Sequence, residues 1–307
     1  MTQDRPLLGI LLMLGFCVVA PMGDAVAKIL GERVPLGQIV LIRFAIQAVL
    51  LIPLVYATKR MWRMRGRVLR LMVLRTVLHI LGIGMMFSAL RYLPLADAVA
   101  IAFVMPFLML LLGKYVLGEE VGSRRLAACC VGFAGTLMVV QPSFAEVGWP
   151  ALLPLGVAVN FSVFMLITRQ IAKHTDPVGL QAVSGVVAVA LMAPLLAFGS
   201  GLPGLEVITP NAGDWALLAA IGVLGTLAHL LMTWSLRYAP GATLAPMQYL
   251  EIPIATILGY LIFSDLPNGL AGAGILITIA AGLYIVFRER QTARDAAKIA
   301  AQRPAPA

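Results

Sequence analysis

Long apolar runs, each bounded by proline, glycine or charge, recur along the whole chain. They fall at residues 7–30, 35–57, 71–90, 95–117, 124–141, 149–171, 177–199, 214–236, 243–262 and 268–287. Most reach or approach the ~20 apolar residues that an α-helix needs to cross a hydrocarbon core of ~30 Å. Ten transmembrane helices are therefore predicted. Proline marks many starts, at Pro35, Pro94, Pro150, Pro177, Pro240 and Pro267, where a missing backbone donor costs a helix little. Pro106 and Pro253 fall inside the fourth and ninth segments and are predicted to bend them.

The chain also repeats itself. At an offset of 146 residues, Leu90-Arg91-Tyr92-Leu93-Pro94 falls on Leu236-Arg237-Tyr238-Ala239-Pro240, Gly113 on Gly259 and Glu119 on Asp265. The same offset lays Ala128, Gly132 and Thr136 of the fifth segment on Gly274, Thr278 and Gly282 of the tenth. Small residues spaced by four line one helix face and let backbones approach closely in lipid. Each repeat holds five helices, an odd number, so the second enters the membrane from the opposite side. The predicted fold is an all-α integral membrane protein of two inverted five-helix repeats, a plan that places a substrate site near the midplane between the halves. The boundaries read as 1–6 (N-terminus), 7–141 (first repeat), 142–148 (periplasmic linker), 149–287 (second repeat) and 288–307 (basic tail).

Composition excludes a water-soluble reading. Of the 307 residues, 61% are hydrophobic and only 12% charged, and the mean hydropathy is +0.95. The net charge of +9 would suggest nucleic acid in a soluble protein, but here its distribution matters more. With the N-terminus inside, 18 Lys and Arg fall on cytoplasmic segments against 3 outside, Lys28, Arg33 and Arg91. This bias predicts cytoplasmic termini, a periplasmic 200–213 loop and a location in a bacterial-type inner membrane. Segment 59–70 reads as an orienting loop with Trp62 as interfacial anchor, and the tail after Arg288, poor in large apolar residues, is expected to be partly or fully disordered. The first segment is too long for a signal-peptide core. Cys17, Cys129 and Cys130 lie in apolar runs with neither disulfide nor zinc spacing.

The order and spacing of several short motifs resemble the drug/metabolite transporter superfamily, EamA-like branch, over nearly all of residues 7–287. They are Asp24-Ala-Val-Ala-Lys28 in the first segment, Arg43-Phe44 after Pro35, and Leu117-Gly118-Glu119-Glu120 closing the fourth. The ninth reads Tyr249-Leu-Glu251-Ile-Pro253 through Gly259-Tyr260, followed by Asp265-Leu-Pro267. In the commonest family pattern Pro follows the Glu directly, whereas here Ile252 intervenes. The resemblance implies ten helices around a central cavity and transport of amino acids, nucleobase-like or cofactor-like metabolites. Export by alternating access is the first expectation, with uptake of a compound such as S-adenosylmethionine or riboflavin as the alternative. Expected partners are a small-molecule substrate and membrane lipids, with a homodimer left open. No nucleic acid, cofactor or metal is expected.

A charge at the bilayer centre costs ~2.5–3.5 kcal/mol even on insertion scales, so each intramembrane ion needs a partner, a cavity or a route to the surface. Glu251 is expected ~12 Å into its helix, near the midplane, binding a cationic substrate group or carrying a coupling proton, with an ion pair to Arg43 or Arg75 as the structural alternative. Arg43 is placed to attract a substrate carboxylate or to pair with Asp24. Asp24 and Lys28, four apart, share a face and are expected to pair, either inside the cavity or at the outer end. Lys114 and Arg75 are expected to reach the cytoplasmic headgroups. His79 is deep enough to titrate during transport, although structural hydrogen bonding is the stronger expectation for it and for His229. Asn160 and Gln248 are candidates for cavity hydrogen bonds, and Trp234 and Tyr249 for stacking on a planar solute.

Enzyme readings find little support. There is no His-Glu-x-x-His pattern, and Ala182-Val183-Ser184-Gly185 and Gly23-Asp24 each fall short of an intramembrane protease motif. No repeated pore-lining charges suggest a channel. A phosphate-binding Gly-x-x-x-x-Gly-Lys-Ser/Thr loop is also absent, so transport would be driven by ion or solute gradients.

Overall fold

The computed structural model describes residues 5–117, 123–199, 201–239, 244 and 247–301, and among them there is no strand. The helices are α1 (Pro6–Gly31), α2 (Leu36–Ala57), α3 (Gly66–Ala89), α4 (Leu95–Ala102), α5 (Met105–Leu117), α6 (Ser123–Val147), α7 (Leu153–Ala172), α8 (Pro177–Phe198), α9 (Ala212–Tyr238), α10 (Glu251–Phe263) and α11 (Gly269–Ala301). A 3-10 turn, Trp149–Leu152, leads into α7.

Among the described residues seven helices are long and apolar enough to cross a membrane, and shorter apolar helices occupy the fourth, ninth and tenth predicted segments. The fourth segment is not one bent helix. It stops at Ala102 and restarts at Met105. Across the gap the Phe103 and Val104 amides reach back only three residues, to Ala100 O (3.2 Å) and Ile101 O (3.4 Å). In the ninth segment a turn at Tyr249 and Leu250 precedes α10. The two interruptions, 103–104 and 249–250, are 146 residues apart and so fall at equivalent points of the repeat. Pro106 and Pro253 sit in the first turn after each break, where the helix has no donor to lose.

Helix boundaries differ from the expected ones in three places. α3 begins at Gly66 rather than residue 71. α6 runs through Val147, leaving Gly148 alone, at φ 70°, to turn the chain. α11 continues to Ala301, so residues 288–301 are helical and not disordered; the stretch is rich in Ala and Arg, both good helix formers.

The packing has two-fold character. Under the repeat, α1 corresponds to α7, α2 to α8, α3 to α9, α4 with α5 to α10, and α6 to α11. α1 packs along α9 and α7 along α3, while α2 meets α8, α4 meets α10 and α6 meets α11. Exchanging the halves returns the same set of pairings, as a two-fold axis requires. Single contacts obey the exchange as well. Arg91 Nη2, just past α3, donates to Val34 O (3.3 Å) and Arg237 Nη1, in the last turn of α9, to Thr175 O (3.0 Å), each reaching the second residue beyond the cap of the first helix of its half.

The α6–α11 contact is as close as the small-residue rows predict. A Cβ on Gly274 would collide with Gly135 O, and Thr278 Oγ1 donates to Gly132 O at 3.4 Å.

The chain ends of successive helices gather at alternate ends of the bundle. At one end Arg5 N donates to Tyr238 O (3.0 Å), Arg60 pairs with Asp176 (3.0 Å) and Arg169 Nη1 donates to Leu236 O (2.7 Å). At the other Gly37 N donates to Gly204 O (2.8 Å), and Lys28 pairs with Asp265 (2.8 Å). Glu119, Glu120 and Pro240 lie outside the described residues, as does the side chain of Lys114.

Candidate functional site: a central cavity between the two broken helices

The two interruptions face each other, with the rings of Phe103 and Tyr249 5.4 Å apart. Beside them is a cavity of about 130 Å³, room for several waters or a small solute. Its walls are mostly apolar, from Phe16, Phe87, Phe103 and Phe161 among others, and its polar groups are Asp24, Arg43, His79, His229 and Glu251. These come from α1, α2, α3, α9 and α10, so both repeats contribute.

Glu251 is the first residue of α10, immediately after the break, and is 9% exposed. Its repeat counterpart, Met105, opens α5 and lines the same cavity. The two-fold scaffold thus carries a carboxylate in one half and an apolar side chain in the other. Among the described residues Glu251 forms no ion pair within 4.0 Å, so the structural alternative of a bridge to Arg43 or Arg75 is not what the structure contains.

Arg43 lies seven residues into α2 and is 3% exposed. Its guanidinium rests against Gly225 of α9, where an added Cβ would come within 2.5 Å of Nε and 2.7 Å of Nη2. Nη1 has no hydrogen-bond partner among the described residues.

His79 and His229 form a pair that was not foreseen, with Nε2 atoms 3.0 Å apart. One ring must donate and the other accept. Neither Nδ1 has a partner among the described residues, so at least one buried ring group is left unsatisfied by them, at ~1–3 kcal/mol for a neutral group. Phe44 meets His79 edge-on at 5.0 Å, and Phe164 covers it at 4.9 Å. The backbone of His229 is fixed by Gln181, whose Nε2 donates to His229 O (3.1 Å) and Thr233 Oγ1 (2.9 Å).

Two expectations need correcting. Arg75 does not reach headgroups. It is wholly buried, with Nε donating to Thr168 Oγ1 (2.7 Å), Nη1 to Ser184 Oγ (3.2 Å) and the guanidinium 4.4 Å from the Phe164 ring centre. Because α3 starts at Gly66, Arg75 is nine residues, ~14 Å, inside its helix, too deep for its side chain to snorkel out. Lys28 does not pair with Asp24: it binds Asp265 and donates to Leu93 O (3.2 Å), outside the cavity lining. Asp24 therefore faces the cavity without its neighbour's charge.

The remaining candidates lie away from the lining. Asn160 Nδ2 donates to Leu78 O (2.7 Å) and backs onto Gly82. Gln248 is fully buried and donates to Met165 Sδ (3.6 Å). Tyr249 packs its ring into the space left by Gly282. Trp234 packs with Leu51, Val55 and Leu230. A buried acid not singled out from sequence, Asp97, accepts from Ser143 Oγ at 3.1 Å.

A family model of EamA-like transporters matches residues 7–141 and 148–288. The chain belongs to the EamA-like transporter family. This EamA-like chain is 29% identical to a riboflavin transporter of Rhizobium johnstonii over 73% of its length and 72% of the relative's. It is 24% identical to an S-adenosylmethionine uptake transporter of Rickettsia prowazekii (90% and 91%) and 27% to a pseudopaline exporter of Pseudomonas aeruginosa (84% and 88%). A crystal structure at 17% identity shares the fold, with a TM-score of 0.69 over 94% of this chain and 98% of that one. Family membership and the apolar helices make this a multi-pass membrane transporter.

Proposed function

We propose that the protein moves a small organic metabolite across a bacterial inner membrane by alternating access, with the central cavity as its solute site and both termini in the cytoplasm. The observation that carries this reading is the pair of broken helices at equivalent points of the two repeats, meeting beside a cavity that holds Asp24, Arg43 and Glu251. Interrupted helices at the interface of inverted repeats are how secondary transporters build solute sites at the bilayer midplane. Backbone irregularity at that depth is tolerated where it lines a cavity or is buried in protein. The distribution of Lys and Arg supports the orientation.

Glu251 either binds a cationic group of the solute or carries a coupling proton. A carboxylate at that depth is expensive facing lipid and useful facing a cavity. Net movement follows the gradient to which this residue couples, and export is the direction proposed. A second reading, uptake of a cofactor-like compound, is favoured by the relatives named for riboflavin and S-adenosylmethionine transport.

The test is flux in proteoliposomes. Glu251→Gln keeps the shape and removes the charge, so flux or its pH dependence should collapse while expression and melting temperature hold. Normal flux with a normal pH profile retires the role of Glu251. Failure of any bound solute to cross the membrane retires transport itself.

A further inference from the structure

The cavity contains charges of both signs that do not neutralise one another by contact. Arg43 ends in a buried guanidinium nitrogen with no hydrogen-bond partner among the described residues, and no described carboxylate lies within 4.0 Å of it. Asp24 and Glu251 likewise accept no hydrogen bond from a described residue. A buried ion without a counter-ion is expensive, so such an arrangement persists where a ligand completes it.

The charges are also ordered. Asp24 lies on α1 and Glu251 opens α10, whereas Arg43 lies on α2, His79 on α3 and His229 on α9. Acid therefore sits towards α1 and α10. Base and hydrogen-bonding nitrogen sit towards α2, α3 and α9, where Arg43 rests against Gly225, one turn from His229.

We propose that the cavity takes a zwitterionic solute, its carboxylate held by Arg43 beside His229 and its cationic group held between Glu251 and Asp24. This rests on the cavity being the transport site. A guanidinium binds a carboxylate through paired, charge-assisted N–H donors, roughly twice as strong as neutral hydrogen bonds and specific in geometry. The apolar remainder of the solute meets the phenylalanine walls. With neutral histidines, two carboxylates and one guanidinium leave one negative charge after a simple zwitterion is bound. A second cationic group on the solute, or a proton on Glu251, completes the balance. Solutes with only one of the two charges leave one pole buried and unpaired, and sites built this way discriminate strongly against analogues lacking the matching group.

The test uses purified full-length protein and a thermal-shift panel of the common α-amino acids. Each is paired with its carboxamide, which lacks the carboxylate, and its deaminated acid, which lacks the ammonium. At least one amino acid should stabilise the protein, with its amide and its deaminated acid each at least tenfold weaker. Arg43→Gln should abolish the preference for the amino acid over its amide, and Arg43→Lys should retain part of it. Glu251→Gln should abolish the preference over the deaminated acid. The melting temperatures of the unliganded variants check folding. The proposal is overturned if the amide binds wild type as tightly as the amino acid, or if no zwitterion in the panel binds. Liposome flux separates the two readings. An uncharged solute carried equally well by wild type and Arg43→Gln removes the solute class and leaves transport standing, whereas zwitterions that bind as expected but never cross leave the class standing and remove transport.

Discussion

Gly225 offers a way to move Arg43 without removing its charge. An alanine Cβ there would lie 2.5, 2.7 and 2.8 Å from Nε, Nη2 and Cζ of Arg43. Bringing the closest pair to an ordinary contact of ~3.5 Å displaces the guanidinium by about 1 Å. The displaced group is the far end of a flexible side chain, so α2 and α9 need not separate and the fold should hold. A hydrogen bond to a charged group contributes ~1.5–3 kcal/mol, which at 1.4 kcal/mol per factor of ten corresponds to ~10–100-fold in affinity. Misplacement by ~1 Å is sufficient to forfeit an effect of that size. Gly225→Ala should therefore raise the KM for a carboxylate-bearing solute in proteoliposome counterflow by at least ~10-fold, with the melting temperature little changed. Gly222→Ala, one turn away, is the control. Its Cβ would fall 2.6 Å from the Cβ of Ile46, an atom fixed to the backbone, so helices must part and stability rather than affinity should suffer. A Gly225→Ala protein with wild-type KM and selectivity would refute the assignment of Arg43 to the solute.

Three further outcomes are expected. Gly274→Leu should lower detergent thermostability far more than Leu276→Ile, because Gly274 opposes the Gly135 carbonyl whereas Leu276 is 68% exposed; equal stability would dismiss the α6–α11 row as an interface. His229→Gln keeps a hydrogen-bonding group opposite His79, so the melting temperature should hold while the pH profile of flux changes, and an unaltered profile would confine the pair to a structural role. A single cysteine at Glu206, in a background without native cysteines, should be labelled from the periplasmic side; labelling only from the cytoplasm would overturn the proposed orientation.

The helices were legible because apolar length is a one-dimensional property of the chain, and the repeat was legible because Leu-Arg-Tyr and the small-residue rows recur at one offset. Even the two breaks had a local sign in Pro106 and Pro253, although the preceding helical residues end four to five positions earlier, and proline's first-turn preference puts each proline just after the restart. Partnerships between side chains were not legible, because they depend on which helix faces meet. Lys28 has Asp24 one turn away and binds Asp265, 237 residues distant. Arg75 reads as interfacial until α3 is seen to begin a turn and a half earlier than its hydrophobicity suggests. Gly225 gives no signal at all, since its function is to be empty where a guanidinium passes. The histidine pair left a faint one: His79 and His229 lie on the repeat-equivalent helices α3 and α9, close to one repeat length apart.

Those residues also indicate how a symmetric scaffold is given a polarity. The caps at the two ends are nearly interchangeable. Arg91 on Val34 and Arg237 on Thr175 are the same contact in opposite halves, and Lys28 and Arg169 each lie three residues before the end of their helix and donate to a carbonyl near the end of the third helix of their half. Contacts that exchange in this way favour neither end of the bundle, so they cannot set a direction. The cavity is where the equivalence fails. Met105 and Glu251 occupy the same point of the two repeats, and His79 has Gly225, not a second histidine, at its 146-residue equivalent. Arg43 fills that glycine's space from α2, and α8, which starts 141 residues after α2, carries Ser184 at the equivalent point. Every charged group in the cavity is thus a departure from the two-fold, laid over packing that obeys it. A solute with two unlike poles would bind such a cavity in one orientation only, and any ion that loads Glu251 would act on one half of the molecule and not on the other.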